Sequence, residues 1–255
     1  MILEKNDTMK YQVVSFKERP DLYDIQDEIC HKAFPIFLYG SEAAVNSWDK
    51  MIEYYEEYQL LLLYEDKIVC VFNCMPMNLD FSDENLPEEA FNWGLEKGIK
   101  DFEDGKEIDA AMGVQIIIPK EYQGKGISST AVVEIKNMCV KMGIRKLIIP
   151  IRPTLKSKYP INDMDNYINW KNENGLPFDP WIRVHVKQKG KIIGTCINAL
   201  EIKGTVGQWE KWTNMKFPAS GMYVVEGALC PININRENNL GTYNEPNVWV
   251  SYEIL

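Results

Sequence analysis

The residues with most to offer chemically lie between Gly113 and Gly143. Val114-Gln-Ile-Ile-Ile118 is short and β-branched, the pattern of a buried strand, and Pro119 ends its ladder bonding. The turn Lys120-Glu-Tyr-Gln123-Gly124-Lys125-Gly126-Ile127-Ser128-Ser129 follows. From Ile127, apolar residues recur at Ala131, Ile135, Met138 and Met142, which is helical spacing, and Gly143 is placed to close that helix. A glycine-rich turn feeding a helix N-terminus leaves backbone N–H groups unpaired at the positive end of the helix dipole. Such a turn can hold a diphosphate. Gly124 and Gly126 let the main chain approach an anion closely and take positive φ.

Two common phosphate loops do not fit. The P-loop needs Ser or Thr after Gly-Lys to hold magnesium, and Gly126 follows Lys125 here. The dinucleotide fingerprint needs a third glycine where Ser129 stands. An ordinary glycine turn of an α/β protein is the plain alternative. Strand, Pro119, Gln123, two glycines, helix and a second strand at Lys146-Leu-Ile-Ile-Pro150 together match a third pattern, Gln/Arg-x-x-Gly-x-Gly/Ala. The segment resembles the acetyl-CoA loop of the GNAT N-acetyltransferase superfamily, with Ser128 where that pattern prefers Gly or Ala. The C-terminal half, with Gly175-Leu-Pro-Phe-Asp-Pro-Trp181 and Glu245-Pro-Asn-Val-Trp249, looks like a longer microbial GNAT-like subgroup.

The resemblance implies an α/β (α+β) fold with a mixed, mostly antiparallel central sheet flanked by helices. It implies acetyl-CoA as co-substrate, held by the backbone of Gln123, Gly124, Lys125, Gly126, Ile127 and Ser128, with the Ser128 and Ser129 hydroxyls as helpers. Lys125 is either a phosphate contact or a solvated side chain. The strand edge at Gln115, Ile116, Ile117 and Ile118 would bond the pantetheine amides like an added strand, with an amide near Ile116 or Ile117 polarising the thioester carbonyl. Relatives open a splay beside this strand for the thioester.

Proton transfer is less defined. Some relatives place a Glu base where this chain has Ala110, so Glu107 or Asp109 would have to substitute. The usual acid is a tyrosine at the fourth helix. Tyr159 precedes that helix, Tyr167 lies within it, and packing is the alternative role for each. His185 is a further candidate on the acceptor side, placed on a strand face with Arg183 and Lys187. Transfer by proximity alone, with solvent taking the proton, is another route.

Composition narrows the field. At 255 residues the chain suits one elaborated domain, 1–255, with an N-terminal part, 10–155, bearing the acetyl-CoA loop and an extended C-terminal part, 156–255. A net charge of −9 argues against a nucleic-acid partner and favours a cationic or neutral acceptor. No apolar run approaches a membrane span, and the segment around Val13 is too short for a signal peptide, so a cytoplasmic location is expected. The six cysteines lack metal-type spacing and read as free buried thiols, with no metal. A homodimer is compatible with the sequence.

Periodicity places the remaining elements. Tyr11 to Phe16 reads as a strand, Pro20 to Ile29 as a helix with Asp21 as cap, and Trp48 to Tyr58 as a helix capped by Ser47. Leu60–Tyr64 and Ile68–Phe72 read as a hairpin, and Pro87 begins a helix ending near Gly105. A fourth helix runs from an Asn162 or Asp163 cap through Lys171. Trp181–Lys187 alternates like a strand, Lys191–Ile202 returns beside it, and Thr205-Val-Gly-Gln208 has capping-box spacing. Strands at Met222–Leu229 and Asn247–Tyr252 complete the reading.

The expected activity is N-acyl transfer from acetyl-CoA to a small-molecule amine. A second reading is a CoA-binding or regulatory protein of the same fold without turnover. A nucleotide kinase or NTPase is a weaker third, since no metal-binding acidic motif stands near Lys125.

Overall fold

The computed structural model describes residues 10–80 and 82–255. The N-terminal elements are β1 (Gln12–Ser15), α1 (Tyr23–His31), α2 (Glu42–Tyr54), β2 (Gln59–Tyr64), β3 (Lys67–Met77) and α3 (Ala90–Glu103). The central unit is β4 (Ala110–Ile117), α4 (Ile127–Lys141) and β5 (Lys146–Ile151). There follow α5 (Met164–Tyr167), α6 (Pro180–Lys187), β6 (Lys191–Gly204), α7 (Val206–Thr213), β7 (Gly221–Tyr223), β8 (Ile232–Asn235) and β9 (Leu240–Glu253).

Nine strands form one sheet in the order β1-β2-β3-β4-β5-β9-β8-β7, with β6 on the far edge of β9. Only β4–β5 is parallel among the pairs. The fold is the expected mixed, mostly antiparallel sheet with helices on both faces. Side-chain alternation divides the core. Leu62, Cys70, Phe72 and Cys74 face α4 and α6, while Leu61, Leu63 and Val71 lie under α1 and Met75 and Met77 lie under α2 and α3. Helix α3 comes so close to the sheet that a Cβ at Gly94 would fall 2.1 Å from Met112 Sδ, and one at Gly98 would fall 2.2 Å from Met75 Cγ. Packing against the methionines thus offsets the weak helix propensity of these glycines.

β9 turns the sheet toward the C-terminal insert. Its later half, Val248–Glu253, pairs β5 on one edge and β6 on the other. Its earlier half keeps β6 but replaces β5 with β8. Residues 205–239 therefore stand beyond the C-terminal end of β5, around their own core of Val206, Trp209, Phe217, Ile232 and Ile234.

Several local expectations need correction. Helix α2 begins earlier, because Ser41 rather than Ser47 accepts the Ala44 amide, and Ser47 is buried inside the helix. Asp21 caps nothing: it pairs with Arg19 at a short 3₁₀ turn before α1. Trp181–Lys187 is helix α6, not a strand. Asp179 caps it by accepting from the Trp181 and Ile182 amides, and Pro180 supplies a pre-set first turn. β6 accordingly pairs β9 instead of a hairpin partner. Helix α5 keeps its Asp163 cap but spans four residues, since Lys171–Pro177 folds back as a β-bridge. The strand at Met222–Leu229 reduces to β7, and β8 was not foreseen.

Cys30, Cys70, Cys74, Cys139 and Cys196 are buried free thiols, and Cys230 is half-buried. Among the described residues no helix is long and apolar enough to cross a membrane.

Candidate active site

Strands β4 and β5 begin as neighbours and then part. Their ladder consists of Ala110↔Lys146, Ala111↔Leu147 and Met112↔Ile148. Beyond it, β4 continues to Ile117 and β5 to Ile151 without pairing to each other. The other edge of β4 stays on β3, through a bulge at Val114 where Asn73↔Gln115 gives way to Cys74↔Gly113. A bulge bends its strand. The result is a fork in which β4, from Gly113 to Ile117, makes no ladder with β5; Gln115 to Ile118 is the segment assigned by resemblance to pantetheine.

The turn at the mouth of the fork is built from its own bonds. The Tyr122 amide donates to Pro119 O at 2.9 Å, and Gln123 Nε2 to Ile118 O at 3.0 Å. Gly124 and Gly126 take φ of 77° and 80°, both are exposed, and no atom stands within 4 Å of where a Cβ would be. Gly126 is the N-cap of α4 and provides no side-chain cap. Its carbonyl takes the Ser129 and Thr130 amides at 3.0 and 3.3 Å. The Ile127 and Ser128 amides precede any intrahelical acceptor and point out of the helix end. The Ile127 side chain is buried, so it anchors the turn while its amide faces outward. Ser128 and Ser129 are half-buried. Lys125 is exposed, its Nζ 5.3 Å from the centre of the Tyr122 ring. These features leave an open, uncapped end on a 15-residue helix that could hold an anion.

Gln115, whose main chain lies on the β4 edge of the fork, engages its side chain within the sheet. Nε2 donates to Asn73 Oδ1 at 2.8 Å, and Asn73 Nδ2 donates to Gln59 Oε1 at 3.0 Å. This relay, half-buried at Gln115 and buried at Asn73 and Gln59, crosses β4, β3 and β2 beside the bulge.

The loop after β5 forms the other wall. Arg152 Nε meets both Glu245 oxygens at 3.0 and 2.9 Å, and its Nη2 donates to Gly227 O at 2.6 Å. Burial acts against the Arg152 charge, but Glu245 outweighs it and raises the guanidinium above its ordinary value. Tyr243 Oη donates to Glu245 Oε2 at 2.9 Å and accepts the Leu229 amide at 2.8 Å. Asp179 Oδ2 takes the Leu155 amide at 2.8 Å, joining α6 to the same loop.

Tyr159 and Tyr167 prove unalike. The Tyr159 ring packs edge-on against Trp170 and Phe178, at 5.0 and 5.8 Å between centroids. Tyr159 is half-buried, and its hydroxyl makes no hydrogen bond among the described residues. Tyr167 is buried and donates to Asp179 Oδ2 at 2.8 Å. Burial, and then the Asp179 charge, push the Tyr167 phenol far above its usual value. A phenol so committed is a poor acid.

The remaining candidates lie elsewhere. His185 is buried on α6, with Nδ1 2.7 Å from Tyr252 Oη and its ring edge-on to Trp181. Tyr252 faces Leu147 at the start of β5, away from the open end of the fork. Burial lowers His185 to about 3, so it is neutral, and its Nε2 has no partner among the described residues. Glu107 and Asp109 stand before β4, roughly 23 Å along the strand from its far end. Asp109 is held there by the Leu79 amide and Arg145. All three thus lie toward the closed end of the fork, away from its mouth at the glycine turn. The Arg152–Glu245 pair and the Asp179 hub escaped the sequence reading. The Asp-Pro pair at Asp179-Pro180 was the one available signal.

Comparison with known proteins agrees with this architecture. No family model matches the chain. It is 24% identical over 277 residues to the arginine N-acetyltransferase avaD of Aspergillus versicolor, covering 96% of this chain and 94% of that protein. Among solved structures, the loading GNATL domain of CurA from Lyngbya majuscula superposes with a TM-score of 0.58 at 18% identity, over 96% of this chain and 98% of that one. The GphF GNAT-like decarboxylase in complex with isobutyryl-CoA gives 0.56 at 11% identity, over 96% and 100%. The two structures share the fold. With the sequence relative, they support the resemblance of this chain to the GNAT superfamily.

Proposed function

We propose that the chain transfers an acyl group from a CoA thioester, acetyl-CoA in the first instance, to the amine of a small molecule. The observation that carries the reading is the fork between β4 and β5 ending at the uncapped N-terminus of α4. It offers one edge for pantetheine amides and one helix end for a diphosphate, in the order in which they occur along CoA. Support for the donor comes from the GphF structure, which holds isobutyryl-CoA. Support for the acceptor comes from the arginine N-acetyltransferase relative.

The C-terminal insert favours a small acceptor. Its loop 224–231 packs Gly227 so closely on Pro35 that a Cβ there would lie 2.4 Å from the proline Cγ. The same loop supplies carbonyls to Arg152 and Lys156. That end of the fork is thus walled by a loop tied to both sides, unlike an open groove for a long chain. The continuous nine-stranded sheet supports treating the chain as one elaborated domain, and we place its action in the cytoplasm.

In this reading the amine nitrogen attacks the thioester carbonyl, whose oxygen is polarised by a β4 amide near Ile116 or Ile117. The C–N bond forms and the C–S bond breaks, leaving its electron pair on sulfur. Tyr159 gives its proton to that thiolate and is reprotonated by solvent. With Ala110 where a carboxylate base would stand, the amine proton leaves through water.

The test is release of free thiol from acetyl-CoA across a panel of amines that includes arginine. Amine-dependent release supports transfer. CoA binding without it for any amine would favour the silent CoA-binding reading.

A further inference from the structure

Lys156 is fully buried, and buried lysines are ordinarily held by carboxylates. Its ammonium instead donates to two main-chain carbonyls, Tyr159 O at 2.9 Å and Leu229 O at 2.6 Å, with the Tyr167 ring centre 5.8 Å away. An apolar side chain of similar length would fill the place without the desolvation penalty of a charge. What such a residue could not do is clamp two separate loops. The Tyr159 carbonyl belongs to the loop after β5, and Leu229 belongs to the C-terminal insert.

Leu229 is fixed in its turn. Its amide donates to Tyr243 Oη, Tyr243 donates to Glu245, Glu245 pairs with Arg152, and Arg152 returns to Gly227 O. The insert loop is held on both sides of the point that Lys156 grips.

We propose that Lys156 is a positioning residue for the proton donor: its ammonium ties the Tyr159 carbonyl to that of Leu229, so the insert sets where the Tyr159 hydroxyl stands. This rests on Tyr159 being the acid that protonates the departing thiolate. The insert is then part of the catalytic apparatus as well as a wall of the acceptor site.

The experiment is a double-mutant cycle on thiol release from acetyl-CoA, with water alone and with arginine as acceptor. Tyr159→Phe lowers kcat ~100-fold, a typical loss for a general acid, with KM for acetyl-CoA within about twofold. Lys156→Met lowers kcat by at least ~10-fold, also at unchanged KM, and adding it to Tyr159→Phe costs almost nothing further. Tyr243→Phe, which frees the Leu229 amide without touching Lys156, reproduces the loss more weakly. Fluorotyrosine at position 159 gives a single ¹⁹F line in the wild type and a broadened or divided line in Lys156→Met, whatever the turnover. Wild-type kcat in Tyr159→Phe would remove the acid and this proposal with it. A normal loss in Tyr159→Phe, but full additivity with Lys156→Met and an unchanged ¹⁹F line, would overturn the positioning role alone.

Discussion

Tyr167 Oη donates to Asp179 Oδ2 at 2.8 Å, inside the protein, and that one bond separates two tyrosines that look equivalent in sequence. Tyr167→Phe removes a buried hydrogen bond to a charged group and costs roughly 2 kcal/mol of stability. It leaves kcat within a few-fold of wild type, whereas Tyr159→Phe lowers kcat without a matching loss of stability. Denaturant unfolding and steady-state kinetics on both variants check this. A reversed pattern would exchange their roles.

Asp179 carries more than that tyrosine. Its oxygens accept from the Trp181 and Ile182 amides, the Leu155 amide, Thr154 Oγ1 and Tyr167 Oη. Asp179→Ala strips the cap of α6 and leaves several buried donors unpaired, so it costs about 3 kcal/mol or more. Asp179→Asn retains acceptors at Oδ1 and loses less. Urea midpoints for the two variants rank them.

His185 gives the stability a pH signature. Its folded value near 3 lies below the ordinary 6.5, so the unfolded chain binds the proton that the folded chain refuses. Stability is therefore fully present above pH 6.5 and is lost as pH falls, by about 1.4 kcal/mol per unit until the folded value is reached. Between pH 6.5 and 5, before most carboxylates titrate, His185→Gln flattens that slope. Unfolding free energies at three pH values in this window measure it, and an equal slope in both proteins would contradict the burial account.

The strand, glycine turn and helix from β4 to α4 were legible because their signals are local: a β-branched run, Pro119, Gln123, two glycines and helical spacing follow one another directly. The fork itself was not. The parting of β4 and β5 past Met112 coincides with the Val114 bulge and the Gln115–Asn73–Gln59 relay, and these involve three strands rather than one segment. The Arg152–Glu245 pair spans 93 positions and has no local trace. The error at α6 has a different cause. Trp181-Ile-Arg-Val-His-Val-Lys187 alternates β-branched and polar residues, but eight residues can equally fill a helix packed on α4 and β6, and the Asp179-Pro180 start decided the matter. With α6 in place, His185 leaves the acceptor side for the core.

Gly126 and Gly124 separate binding from folding. Both are open to solvent at positive φ, so Val there strains the turn but meets no neighbour. Gly126→Val costs roughly 1–2 kcal/mol of stability, from the left-handed backbone alone. Its affinity for acetyl-CoA falls ~100-fold or more, because the side chain enters the space that the diphosphate needs. Calorimetric titration and thermal unfolding on the same preparation read both effects.

The most direct measurement is a crystal structure of the chain grown with CoA. The account places the diphosphate on the amides from Gln123 to Ser128, the pantetheine along the edge from Gln115 to Ile118, and the sulfur toward Tyr159. A coenzyme seated elsewhere, or crystals at saturating CoA with that turn empty, would contradict it.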